Sequence, residues 1–322
     1  MTTADSIAFV INPKSHRVAQ KGSWLAQSNS AISGDSILHV DDFDALTTPV
    51  GDLARGGKTT FFVEGGDGTV RALLSACEKL RHEFASPPRF AILPGGSTNL
   101  AYKQMGFAAH SKASFAKRLS DILRNGRARS DTVQALSVSC NSWSNPQIGF
   151  LVSTGSLAGA MAHVQNEFHG QGHRGSLAVG LSVFRFLKAP HRYLAKDGYP
   201  VVRRSHLTLN CDAVSYDAEH GMSVMTSLPK LSLGLNPFWG QESAGIKLTI
   251  GTWPIARFRR DLLEVLFLKR PKRLKSTAFT SYRSNEIVLR SSAPIMIDGE
   301  LFVVALEDDV AVNLTDPIEF LR

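Results

Sequence analysis

Phe61-Phe62-Val63-Glu64-Gly65-Gly66-Asp67-Gly68-Thr69 decides the fold. An apolar run stops in three glycines, and Val70, Leu73, Leu74, Cys77 and Leu80 then follow at helical spacing. A strand that turns through glycines into a helix presents bare backbone N–H groups at the helix start, which suits phosphate. The same pattern recurs one βα unit later. Phe90-Ala91-Ile92-Leu93 runs into Pro94-Gly95-Gly96-Ser97-Thr98-Asn99. Two such loops in neighbouring units can line a single nucleotide crevice.

Considered alone, the first loop suits a plain βα turn equally well. The second loop shifts that balance. A helix cap needs one hydroxyl or amide residue, and here Ser97, Thr98 and Asn99 follow two glycines. No P-loop lysine is present. Charge neutralisation therefore falls to Mg²⁺ and other side chains, with Asp67 placed to hold a nucleotide-borne metal or to accept a proton.

Outward from these loops, short apolar runs at Ile7 to Ile11, closed by Asn12-Pro13, and at Ile37 to Val40 read as two more buried strands. Strands alternating with helices imply a parallel sheet covered on both faces. Residues 1–131 fit that α/β pattern. After Asp131 the texture changes. Strands are expected at Thr132 to Ser139, Ile148 to Ser153, Val201 to Leu209, Ser223 to Leu228, Lys247 to Ile250, Glu286 to Leu289 and Leu301 to Leu306. Turn-rich stretches separate several of them, which is the rhythm of an antiparallel β-sandwich over residues 132–306. Helices are expected at Leu177 to Lys188 and at Ile255 to Leu268.

The chain has 322 residues, 43% of them hydrophobic and 20% charged, which is enough for two globular domains. A formal net charge of +8 favours anionic partners without choosing among them. Three cysteines, Cys77, Cys140 and Cys211, are odd in number and far apart, so neither a disulfide framework nor a zinc site is expected. The expected setting is reducing and cytoplasmic, without a signal peptide or a spanning helix.

A third motif lies late in the chain, at Ile297-Asp298-Gly299-Glu300-Leu301. Asp-Gly between two apolar runs makes a good hairpin turn. The competing reading makes Asp298 a general base, with Glu300 steadying it or the nucleotide.

Taken in order, Asn12-Pro13, the loop 65–69, Leu93-Pro94 with the loop 95–99, and Asp298-Gly299-Glu300 resemble the diacylglycerol kinase catalytic-domain family. That family includes soluble bacterial lipid kinases and sphingosine and ceramide kinases, with NAD kinases as distant relatives. The resemblance implies ATP bound in a cleft between an N-terminal α/β domain and a C-terminal sandwich that takes the lipid. Asn12, Gly65, Gly66, Asp67, Gly68, Thr69, Gly95, Gly96, Ser97, Thr98 and Asn99 would hold the nucleotide, and Asp298 would match the family's proposed base. Asp67 is the competing base, and ATP and Mg²⁺ are the implied cofactors. Residues after about 307 are expected to return to the first domain.

Three departures stand out. Lys14-Ser15-His16 follows Asn12-Pro13 where the family continues to a glycine, and Ser97 stands for the usual threonine. Ala244-Gly245 stands where some bacterial members carry an Asp-Gly pair for a structural Mg²⁺, so no structural Mg²⁺ is expected.

Ile255 to Lys275 mixes eight lysines and arginines with an apolar stripe. It suits peripheral contact with an anionic membrane at the inner face, and equally a core-packed helix with a solvated basic flank. The stripe Leu177, Leu181, Phe184 and Leu187 carries the same two readings. Arg174 can reach a triphosphate or simply sit in solvent. His169 and His173 are four apart, but Gly170, Gly172 and Gly175 argue against a helix and hence against a metal site. The leading expectation is an ATP-dependent lipid kinase, acting as a monomer or a homodimer. An NAD kinase and a non-catalytic nucleotide- or lipid-binding module are the alternatives. Nucleic-acid binding is not expected, because no recognition motif accompanies the charge.

Overall fold

The structure, a computed structural model, describes residues 4–31, 36–96, 99–156, 158, 202–231, 235–255, 258–267 and 278–322. The chain divides into two compact units, Met1–Gln134 with Asp316–Arg322, and Ala135–Thr315.

The first unit is a six-stranded sheet with flanking helices. Its strands are β1 (Ile7–Ile11), β2 (Ile37–His39), β3 (Thr60–Gly65), β4 (Arg89–Pro94), β5 (Ser130–Val133) and β17 (Ile318–Leu321), in the order β2-β1-β3-β4-β17-β5. All pairings are parallel except β17 with β5. Every residue of β1 and β3 is buried, as expected when helices cover both faces of a parallel sheet. The connecting helices are α1 (His16–Lys21), α2 (Thr47–Arg55), α3 (Asp67–Lys79), α4 (Leu100–Met105) and α5 (Lys112–Asn125). One face buries Phe9, Phe62, Phe107 and Phe115, with Phe62 edge-on to Phe107 at 5.5 Å between centroids. Such pairs add about 0.5–1.5 kcal/mol beyond their buried area.

The last residues complete this sheet. β17 lies between β4 and β5, and Phe320 packs against Phe90 at 6.0 Å. The Arg322 carbonyl accepts from Arg118 Nη2 at 2.6 Å, and Arg322 Nε donates to Asp131 at 2.7 Å.

The second unit is an antiparallel sheet of eleven strands: β6 (Leu136–Cys140), β7 (Gln147–Gly149), β8 (Leu151–Gly155), β9 (Ser205–Cys211), β10 (Val214–Thr226), β11 (Ile246–Thr252), β12 (Phe279–Ser284), β13 (Glu286–Ser291), β14 (Ile295–Ile297), β15 (Glu300–Phe302) and β16 (Val310–Leu314). The strands are hydrogen-bonded into one continuous sheet that folds over its main core. Leu136, Val152, Leu209, Met225, Leu248, Ile287, Ile297 and Val312 all bury into it. The corner is β10. Its first half pairs with β9, its second half with β8 and β11, and the register shifts between His220 and Met222. A bulge of this kind bends a strand and lets it serve two directions.

His220, wholly buried at that bulge, sits in a polar pocket of its own. Its Nδ1 lies 2.7 Å from the Ser205 carbonyl, which can only accept, so Nδ1 carries the proton. Nε2 then accepts from the Thr154 hydroxyl at 2.6 Å. Burial holds its pKa below the ordinary histidine value.

The expected strand Thr132 to Ser139 proves to be two strands in different sheets, because the chain leaves the first unit between β5 and β6. Leu301 to Leu306 keeps only the β15 portion as strand. Val310–Leu314 stays in the second sheet, and only Asp316–Arg322 joins the first unit. The helix expected over Leu177 to Lys188 lies outside the described residues, as does Val201. Within the basic segment, α6 (Phe258–Phe267) packs Leu262 and Val265 against Met222, Ile255 and Phe279. Arg260 on its exposed side pairs with Glu264 at 2.8 Å. Residues 256–257 and 268–277 of that segment lie outside the described residues.

Candidate nucleotide site

The two glycine loops emerge side by side at the C-terminal ends of β3 and β4, with Glu64 opposite Leu93 and Gly65 opposite Pro94. β1 lies on the other side of β3, and Ile11 pairs with Glu64, so Asn12 arrives at the same edge. The carboxyl ends of strands in an open α/β sheet are where such folds bind ligands.

The glycines are required by contact. A Cβ on Gly95 would come within 2.5 Å of the Gly65 nitrogen, and one on Gly96 within 2.6 Å of the Gly66 Cα. A Cβ on Gly65 would meet the Thr69 side chain at 2.5 Å. The loops therefore pack backbone on backbone, and side chains at these positions would force them apart. Gly66 is the N-cap of α3, and Asp67, Gly68 and Thr69 form the helix's first turn.

Polar side chains fix the remaining geometry. Asn12 Nδ2 donates to Thr69 Oγ1 at 2.8 Å, and its Oδ1 accepts from the Lys14 amide at 2.9 Å. Asn12 thus holds the first loop in place. Asn99, at φ +51° in the left-handed region, closes the second loop on itself. Its Oδ1 accepts from Gly96 N at 2.8 Å and its Nδ2 donates to Gly96 O at 2.7 Å. Asparagine is among the few non-glycine residues that adopt this conformation readily.

Asp67 links the two units of the motif. Its Oδ1 accepts from Ala101 N at 2.9 Å, so the carboxylate meets the start of α4, where a negative charge is favoured. Burial raises its pKa above the ordinary aspartate value, opposed by the amides of Ala101 and Leu100 and by Lys103.

Beneath the loops lies a group that motif reading missed. Glu64, wholly buried, accepts from four donors: Arg17 Nη1 at 3.2 Å, Ser23 Oγ at 2.6 Å, and the amides of Trp24 and Leu25 at 3.1 Å each. Arg17 Nη1 also donates to Pro94 O at 2.8 Å, and the Arg17 amide donates to Gly95 O at 2.8 Å. The guanidinium carbon lies 4.0 Å from the centroid of the Trp24 ring. The signal was a carboxylate inside an otherwise apolar strand, which demands buried partners.

The late motif belongs to the second unit. Asp298 and Gly299, at φ +48° and +95°, form the two-residue turn between β14 and β15. Two positive φ values in succession make a type I′ turn, for which Asp-Gly is a preferred pair. The carboxylate is engaged as well. Asp298 Oδ1 accepts from Leu151 N at 2.8 Å, and both oxygens lie 3.0 Å from Phe150 N. A Cβ on Gly149 would lie 2.9 Å from Asp298 Oδ2, so that glycine makes room for the carboxylate. The hairpin and the functional readings thus concern one and the same object. Glu300 opens β15 and is half-buried. Ser97, Thr98, Arg174, His169 and His173 lie outside the described residues.

For a divalent cation at the loops, Asp67 offers the hard oxygen donor that Mg²⁺ prefers, whereas Glu64 is spent on its four donors. Among the described residues, no three His, Cys, Asp or Glu side chains cluster to hold a metal. Near the Ala244-Gly245 pair, a Cβ on Gly245 would come within 2.4 Å of Leu314, so close packing accounts for that glycine.

Comparison with known families assigns the loop-bearing part. Residues 6–135 match the diacylglycerol kinase catalytic domain. The resemblance carried by Asn12-Pro13 and the two glycine loops is therefore borne out, and the match also spans Arg17 while Asp298-Gly299-Glu300 lies outside it. Among solved structures, a diacylglycerol kinase from Bacillus anthracis str. Sterne superposes with a TM-score of 0.60 at 12% identity, over 98% of this chain and 96% of that one. A proposed diacylglycerol kinase from the same strain gives 0.61 at 13% identity, over 97% and 94%. These likenesses establish a shared two-part fold along nearly the whole chain. No curated protein matches.

Proposed function

We propose that this protein is an ATP- and Mg²⁺-dependent lipid kinase, transferring the γ-phosphate to a hydroxyl of diacylglycerol, ceramide or a sphingoid base. The observation that carries this reading is the backbone packing of Gly65-Gly66 on Gly95-Gly96 at the ends of β3 and β4, inside the matched catalytic domain. In this reading the residues 65–69 and 95–99, with Asn12, Arg174 and Glu300, bind the nucleotide. The bound Mg²⁺ supplies charge neutralisation at the triphosphate, and Asp67 is the residue that would hold it.

Asp298 is our choice for the base that accepts the proton of the lipid hydroxyl. Its carboxylate is held in place by the amides of Phe150 and Leu151. Asp67 is the competing base. The second unit, Ala135–Thr315, would receive the lipid. No helix among the described residues is long and apolar enough to cross a membrane. We place the protein in the cytoplasm, reaching its substrate from the membrane face, with residues 255–275 as the contact.

Incubation with labelled ATP and a panel of diacylglycerol, monoacylglycerol, ceramide, sphingosine and NAD tests this function. Label in a lipid product is the expected result. Label in NAD alone would establish the NAD kinase alternative instead, and label in nothing would leave a binding module.

A further inference from the structure

We infer that Arg17 is a positioning residue for the nucleotide, acting through the second glycine loop; the inference rests on the nucleotide reading proposed above. Arg17 touches that loop twice, from its side chain to Pro94 O and from its amide to Gly95 O, each at 2.8 Å. It is held there by Glu64 at 3.2 Å and by the face of Trp24 at 4.0 Å. Glu64 is in turn fixed by Ser23, Trp24 and Leu25. The segment 17–25 is thus a strap whose buckle is a buried carboxylate.

The strap sets where the backbone of the second loop sits. Pro94 and Gly95 have their carbonyls turned down onto Arg17, and the peptide planes that follow are constrained by the Asn99 ring closure. The peptide between Gly95 and Gly96 is thus held at both ends, its carbonyl by the Arg17 amide and its N–H by Asn99 Oδ1. The guanidinium fork can hold a carboxylate and a carbonyl at once, which an ammonium holds with less directional control. Arg17 therefore acts on ATP through geometry, and its loss is expected to alter nucleotide affinity more than the chemical step.

Arg17→Lys and Arg17→Ala test this. Lysine keeps a cation for Glu64, so the fold survives even where alanine leaves the buried carboxylate short of a partner. Calorimetric titration with MgATP is expected to show binding about tenfold weaker for the lysine variant and weaker still for alanine. Amide exchange at Gly95, Gly96 and Asn99, measured without nucleotide, is expected to accelerate in both. KM for ATP should rise in parallel while kcat stays within about twofold. Unchanged ATP affinity in folded Arg17→Ala and Arg17→Lys overturns the positioning role and leaves the nucleotide reading standing. Absence of MgATP binding by the unaltered chain overturns both.

Discussion

Gly95 lies against Gly65 so closely that a single methyl group on it would come within 2.5 Å of the Gly65 nitrogen. Backbone atoms cannot swing aside as a side-chain tip can. Gly95→Ala must therefore push the second loop off the first. We expect a destabilisation of about 1–3 kcal/mol, the usual range for overpacking, with loss of MgATP binding. Urea denaturation and calorimetry on the same preparation check both parts. An alanine variant with unchanged stability would show that the loops part freely.

Asp67 faces the α4 start with its pKa raised by burial. Between the unfolded value near 3.9 and the raised folded value, the folded chain holds the extra proton. Stability contributed at this site therefore increases as pH falls through that window, and the penalty is complete above it. Asp67→Asn keeps an oxygen for Ala101 N and removes the charge. The variant should equal or exceed the parent in stability at pH 7, with the difference shrinking towards pH 4. Phosphoryl transfer should nevertheless fall by about 100-fold or more. A variant less stable than the parent at pH 7 would contradict this account.

At Asp298 the fold and the proposed chemistry can be separated. Asp298→Ala leaves the amides of Phe150 and Leu151 without their acceptor and should cost about 1–3 kcal/mol. Asp298→Asn keeps an acceptor oxygen and tolerates positive φ, so its cost should be smaller, while lipid phosphorylation should be lost. Comparing unfolding midpoints with turnover decides the matter. If Asp298→Asn turned over lipid normally and Asp67→Asn did not, Asp67 would be the base.

His220 gives the second unit an acid-sensitive point. Its folded pKa is lowered by burial, with the Ser205 carbonyl and Glu219 opposing and His206 adding slightly. Below about pH 6.5 the unfolded chain takes up a proton that the folded chain refuses. Stability is therefore full above that pH and declines below it, by at most about 1.4 kcal/mol per pH unit. His220→Gln should flatten that part of the stability profile between pH 5 and 7. Parallel profiles for the two proteins would exclude His220 as the cause.

The glycine-loop part of the α/β unit was legible because β1, β3 and β4 are mostly apolar runs and β3 and β4 end in glycines, as at Phe61 to Gly66. Both signals are local in the chain. The second unit was harder. The first half of β10, Val214 to His220, has one face in solvent and carries Asp217, Glu219 and His220 among its apolar residues. β14 is three residues long, too short for periodicity to register. At the site, the glycines and Asn99 announce themselves, but what they do does not. Their packing against one another depends on the register of β3 with β4. Glu64 and Arg17 are 47 residues apart, and only the folded sheet brings them together.

The place of β17 bears on how the molecule is made. Strands β4 and β5 have no neighbour between them until Ile318–Leu321 arrives. On the ribosome, all of Ala135–Thr315 is synthesised before that strand emerges. The unit with the two glycine loops is thus begun before the second unit and closed only after it, with strand edges open meanwhile. Its sheet can close only once residues 316–322 have been made, after the whole of the second unit. Nascent chains stalled before residue 316 should be the forms that chaperones and proteases capture.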